Sequence, residues 1–146
     1  MSDTTAIPDV SLAAASRFVA ASGLVVDEVT ETSVSGHVEL NEDHHTPWGV
    51  VHGGVYATIV ESAASIGASQ AVLERGQFAV GVHNATDFLR PATVTRAAVE
   101  ARALHQGRTQ QLWEVVISDA ATDKVLARGQ LRVQNVPMPD AVDAVK

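Results

Sequence analysis

The chain has 146 residues, 46% hydrophobic and 18% charged, with a formal net charge of −7 and no cysteine. That length and composition suit one globular domain over residues 1–146 rather than a disordered chain. The acidic balance argues against a nucleic-acid surface, and the lack of cysteine excludes disulfides, thiolate nucleophiles and Cys-type zinc sites. Residues 1–10 are polar with Pro8 and read as a loose segment, as does the stretch 137–146. Ser11 to Ser22 is alanine-rich and predicts a short helix, N-capped by Ser11 and ended by Gly23. Two strands follow, Leu24 to Glu31 and Ser33 to Leu40, the second with Val38 and Leu40 alternating against His37 and Glu39. Asn41 to Val51 carries turn residues and reads as a loop. From Gly54 to about Leu73 there is no proline and much alanine, which predicts a helix. It is apolar nearly all round, so a buried helix is expected, terminated at Arg75 and Gly76. Four strand-like runs complete the chain: Phe78 to Leu89, Ala92 to His105, Thr109 to Ser118 and Val125 to Val136.

This order predicts an α+β fold, an antiparallel sheet wrapped around one long helix. The run LWEVVI is apolar on both faces, so a second cover, such as a partner subunit, is expected over the sheet. No stretch reaches the roughly 18 apolar residues of a membrane span. The opening MSDTTAIPDVS lacks a basic leader region, so the expected location is the cytoplasm. Of six histidines none has helical metal-ligand spacing with a third ligand. No metal is expected, and His44-His45 is expected to be solvated.

The long helix carries one charge, Glu61, amid Val55, Ile59, Val60, Ala63, Ala64 and Ile66. A carboxylate is seldom fully buried without a partner, so Glu61 either has a structural partner or does chemistry. His52-Gly53-Gly54 opens the same helix, where free N–H groups carry about half a positive charge. These amides, Gly53 first and Gly54 with it, either polarise a carbonyl oxygen or belong to a plain turn and cap. Gly53 and Glu61 are eight residues apart, about 12 Å along a helix axis. They cannot converge on one carbon within a single chain, but two such helices running antiparallel across a two-fold axis would let them. Ser65 follows Glu61 by one turn and Thr58 precedes it by one turn. Either could hold a carboxylate or bond back to its own helix. Of the ten basic residues eight are arginine, and Arg90, Arg102 and Arg108 are the ones placed to meet a phosphate or to lie solvated on the surface.

Taken together, the run from Trp48 through HGG to Glu61 and Ser65 resembles the signature of hotdog-fold acyl-CoA thioesterases. It is similar to the branch holding 4-hydroxybenzoyl-CoA thioesterase, the 1,4-dihydroxy-2-naphthoyl-CoA thioesterases and the phenylacetate-pathway enzymes. AVGVHNATDFLRPA and HQGRTQQLWEV resemble the family's next strands, and the likeness covers roughly residues 20 to 136. The resemblance implies a catalytic carboxylate at Glu61, a thioester-binding amide at Gly53, an assisting hydroxyl at Ser65 and a loop-holding histidine at His52. It implies a small-molecule acyl-CoA substrate, with CoA part of the substrate and no cofactor. It also implies a homodimer with shared sites, paired into a dimer of dimers. Trp48 and Tyr56 would line an aryl or acyl pocket, with core packing the other role for Tyr56. The branch usually has an amide side chain six residues before the histidine; here Thr46 stands there with a shorter hydroxyl. A hotdog hydratase or dehydratase and a non-catalytic acyl-CoA binder are the alternative functions.

Overall fold

The computed structural model describes residues 11–139. The expectation for residues 1–10, and that for the tail past residue 139, lie outside the described residues. In chain order there is a 3-10 turn at Leu12–Ala14, then α1 (Arg17–Ala21), β1 (Val25–Val29), β2 (Ser33–Leu40) and a 3-10 turn at Glu42–His44. Helix α2 (Gly53–Val72) continues into a 3-10 turn at Leu73–Arg75, and β3 (Gln77–Phe88), β4 (Thr95–Gln106), β5 (Gln110–Asp119) and β6 (Val125–Pro137) follow. The strands form one antiparallel sheet in the order β1-β2-β4-β5-β6-β3, with α2 packed against its inner face. The expected α+β architecture is thus present. Among the described residues no helix is long and apolar enough to cross a membrane.

Three local expectations differ. The helix read over Ser11 to Ser22 is broken at Ala15, whose backbone is extended, and Ser16 rather than Ser11 caps α1 by accepting the Val19 N–H at 3.3 Å. Alanine favours helix, but no residue of α1 is buried, and a short helix without a packed face has little to hold it. Pro137, expected to fray, closes β6 opposite Gln77. The strand read from Ala92 starts only at Thr95, because the chain turns a corner there: the N–H groups of Leu89 and Arg90 both meet the Leu126 carbonyl, and Ala92 O accepts from Val51.

Helix α2 buries one face, not all of its circumference. Tyr56, Ile59, Val60, Ala63, Ala64, Gly67, Ala68 and Val72 are buried, whereas Glu61 is exposed and Thr58, Ser62, Ser65 and Ile66 are half-buried. The apolar reading was misleading because alanine counts as apolar on either side of a helix. On the sheet, Val34, Val38 and Leu40 of β2 point inward as the alternation predicted. Trp113, Val115 and Ile117 of LWEVVI are buried on the inner face, and Leu112, Glu114 and Val116 are half-buried on the outer one.

Gly67 is what lets α2 lie this close. A Cβ there would stand 2.5 Å from Trp113 Cη2 and 2.9 Å from Val34 Cγ2, and the Trp113 ring is fully buried with nowhere to retreat. Gly67→Ala sets a helix-propensity gain of at most about 1 kcal/mol against overpacking of about 1–3 kcal/mol. We expect a net loss, seen as a fall of about 2–4 °C in the thermal midpoint; a midpoint at or above the parent's would contradict this packing.

Candidate active site

The approach to α2 is built by the loop after β2. The Asn41 side chain accepts the Asp43 N–H at 2.9 Å, and the Asn41 N–H donates to His44 Nδ1 at 3.2 Å. His44 is buried, not solvated as expected, because its other nitrogen reaches back to the Ala21 carbonyl of α1 at 3.0 Å. With Nδ1 accepting, the proton sits on Nε2. His45 Nε2 meets Thr93 O at 2.9 Å, and a bridge between His45 and Val51 closes the loop. Within it the Thr46 N–H donates to Val50 O at 2.7 Å and Thr46 Oγ1 accepts from the Trp48 N–H at 3.2 Å. Thr46 therefore shapes the turn, and Trp48 stands at its tip, 84% exposed.

His52 is the N-cap of α2: its Nδ1 accepts the Gly54 N–H at 2.8 Å. That bond occupies Gly54 and leaves the Gly53 N–H with no acceptor among the described residues. A Cβ on Gly53 would overlap the ring of Phe88, so glycine here lets that ring lie against the helix start. Phe88 in turn lies 6.2 Å, ring to ring, from Tyr56. Tyr56 is buried core, not pocket lining; burial, and then the Asp119 carboxylate, push its phenol above the ordinary value.

Glu61 lines a cavity of about 310 Å³ together with Phe18, Val19, Thr58, Ser62 and Asn84. Its carboxylate accepts no hydrogen bond from the described residues. A Cβ on Gly81, beside a bulge in β3, would sit 3.5 Å from Glu61 Cδ in ordinary contact. Asn84, which the sequence reading missed, straps this turn of helix to the edge strand: its Nδ2 donates to Ala57 O at 3.0 Å and its Oδ1 accepts from Thr86 Oγ1 at 2.7 Å. Its only sequence signal is a polar residue at an inward position of HNATDF. Thr58 bonds back to Gly54 O at 2.8 Å, and Ser65 lies half-buried one turn beyond Glu61.

The helix start opens into a second cavity of about 260 Å³, lined by His44, His52, Gly54 and Thr58 with Phe18 and Ala21. Within one protomer, therefore, Glu61 lines one cavity and His52 and Gly54 the other, while Gly53 lies against Phe88 and lines neither. The three arginines do not come together either. Arg90 donates to Val125 O at 3.1 Å beside the start of β6. Arg102 lies on the outer face of β4 between Ser33 and Glu114. Arg108 is in the β4–β5 turn at the sheet's other end.

Residues 49–126, more than half of the chain, match the family model described as the Thioesterase superfamily, and the chain belongs to that family. The Mycobacterium tuberculosis protein Rv1847, an esterase by name, is 49% identical over 90 residues, spanning 60% of this chain and 64% of its own. That match thus covers less than two thirds of the relative's length. The solved structure of Rv1847 superposes with a TM-score of 0.79 at 39% identity, covering 84% of this chain and 98% of that one. The 1,4-dihydroxy-2-naphthoyl-CoA hydrolase of Listeria monocytogenes is 32% identical over 104 residues, 71% of this chain and 83% of its own.

The cap gives a test of how α2 begins. His52→Ala removes the acceptor of the Gly54 N–H and is expected to cost about 1 kcal/mol of stability. His52→Asn, which caps as well, is expected to recover most of it. Urea unfolding of the two variants reads the difference, and equal losses would show that His52 does not act as the cap.

Proposed function

We propose that this chain hydrolyses an acyl-CoA thioester to the free acid and CoA. What carries the reading is one pair of features in a thioesterase-family fold: a carboxylate in a cavity with no hydrogen-bond partner among the described residues, and a helix start whose first amide has no acceptor there. The Gly53 N–H polarises the thioester carbonyl, and Glu61 either attacks the carbonyl carbon or takes a proton from the attacking water. On both routes the C–S bond breaks, the thiolate of CoA leaves with a proton, and water supplies the oxygen of the acid. Ser65 and His52 support these groups, and Thr46, Trp48 and Gly54 flank the entering thioester. No cofactor takes part.

The two groups meet across a homodimer. The edge strand β3 has 12 residues, and its free edge shows apolar side chains, Val80 and Val82 among them, the latter 51% exposed. An edge of that kind invites a second strand. Two β3 strands joined antiparallel set two α2 helices side by side in opposite directions. The start of one then lies level with the middle of the other, removing the separation of about 12 Å along a single helix. The half-buried outer face with Leu112 and Val116 would join dimers into a tetramer. Arg90, Arg102 and Arg108 are the groups for the CoA phosphates. The family branch with aryl substrates, including 4-hydroxybenzoyl, dihydroxynaphthoyl and phenylacetyl esters, fits the motif run and the name of the Listeria relative, so an aryl or medium-chain acyl group is the proposed cargo, met in the cytoplasm.

Glu61→Ala is expected to lower kcat about a hundredfold or more with little change in stability. A thiol-release assay on aryl, phenylacetyl and straight-chain CoA esters checks it, and near-parental turnover would remove Glu61 from the chemistry. Val82→Lys places a charge on the β3 edge. Light scattering is expected to show a smaller assembly, with thiol release lost in step; a monomer that keeps full activity would sink the shared site.

A further inference from the structure

Phe18 touches both cavities. It is 73% exposed, it lies on the five-residue helix α1, and it lines the space around Glu61 as well as the space at the start of α2. Thr58, facing it from α2, is the other side chain that both share. The two cavities are therefore neighbours with an aromatic ring at their common wall. Phe18, Val19 and Ala57 make the apolar part of the Glu61 cavity, the part suited to a hydrocarbon chain rather than to the charged reaction centre.

The ring is held from behind. None of α1 is buried, so the helix has no core contact of its own to fix it. It is tied at its C-terminal end, where Ala21 O accepts from the buried His44 at 3.0 Å and Gly23 turns the chain with a φ of 75°. Ser22, also buried, accepts the Leu24 N–H at 3.4 Å and donates to Val19 O at 2.9 Å. Nothing in this anchoring needs a phenyl ring at position 18, and an exposed aromatic ring on such a helix is not explained by stability.

We infer that Phe18 sets the size of acyl group accepted beside Glu61, by closing that cavity off from the one at the helix start. The inference rests on the thioester-hydrolase reading of the same site. Shortening Phe18 to alanine joins the two spaces and admits a longer or bulkier acyl group; enlarging it to tryptophan shortens the space. A pocket wall of this kind discriminates by about tenfold or more per methylene. Because Phe18 is exposed, neither change threatens the fold.

The test compares the parent, Phe18→Ala and Phe18→Trp in two assays. One is kcat/KM over straight-chain acyl-CoA esters of rising length, and the other is calorimetric binding of the matching non-hydrolysable acyl thioethers of CoA. The expected result is a preference displaced to longer chains in Phe18→Ala, by about tenfold in kcat/KM, and to shorter chains in Phe18→Trp, with thioether affinities following. The same rank order of chain lengths in all three proteins would overturn the inference. Binding preferences that shift without thiol release in any protein would uphold Phe18 as the wall while refuting hydrolysis. If no protein binds any thioether, both fall.

Discussion

Close approach of α2 to the sheet is the constraint on which the other features depend. It is made possible by side chains that are missing. Gly67 admits the edge of Trp113, and Gly129 of β6 admits Val60 and Thr86, where a Cβ would stand 2.9 Å and 2.6 Å from their side chains. With the helix so near, two inward amide side chains reach its backbone. Gln111 donates to Ala68 O at 2.9 Å while accepting from the Trp113 indole at 2.9 Å, and Asn84 donates to Ala57 O at 3.0 Å. Buried amides are costly unless all their groups are met, so these bonds fix the helix in height and rotation as well as depth. Ala57 O is also the carbonyl that takes the Glu61 N–H in the helical ladder. The height of Glu61 is thus set from the sheet.

The two edges of the sheet are treated differently. Strand β1 is five residues long, carries Asp27 and Glu28, and holds Asp27 to His37 at 2.8 Å. A short, charged edge resists further pairing. Strand β3 is long and shows valine at its edge, and it is also the strand strapped to α2 by Asn84 and by the Ser69 hydroxyl, which accepts the Ala79 N–H at 3.0 Å. The edge open to pairing is therefore tied by hydrogen bonds to the helix on both sides of Glu61. A second chain added at β3 would be presented to Glu61 in a fixed register.

Much of this was legible from the residue order alone. The bounds of β2 follow from alternation, and those of α2 from alanine, the glycine pair that begins it and Gly76 after its last turn, because each of these signals is local. What escaped depended on contacts distant in sequence. His44 reads as a solvated loop residue until Ala21, 23 positions earlier, is brought beside it. Asn84 reads as a strand residue until Ala57 lies opposite. Phe18 reads as an apolar residue of an alanine-rich helix until the helix proves to have no buried face. The exposure of Glu61 in the protomer was misjudged because hydropathy does not tell an alanine facing the sheet from one facing outward.

Electrostatics ties the proposed chemistry to the proposed pairing. A helix dipole acts within about one turn of the helix end, and Glu61 is two turns from its own. Alone, the carboxylate gains little from that field, and the Gly53 amide has no acceptor among the described residues. On the antiparallel pairing each carboxylate would face the positive start of the other helix, so one contact would favour association and set the acid beside the amide it is proposed to work with. The arginines follow the same geometry. Arg90 stands at the end where α2 begins and Arg108 at the end where it finishes, and inverting one chain against the other brings opposite ends level. A CoA phosphate chain entering between them would meet basic groups from both chains, just as the thioester would meet an amide from one and an acid from the other.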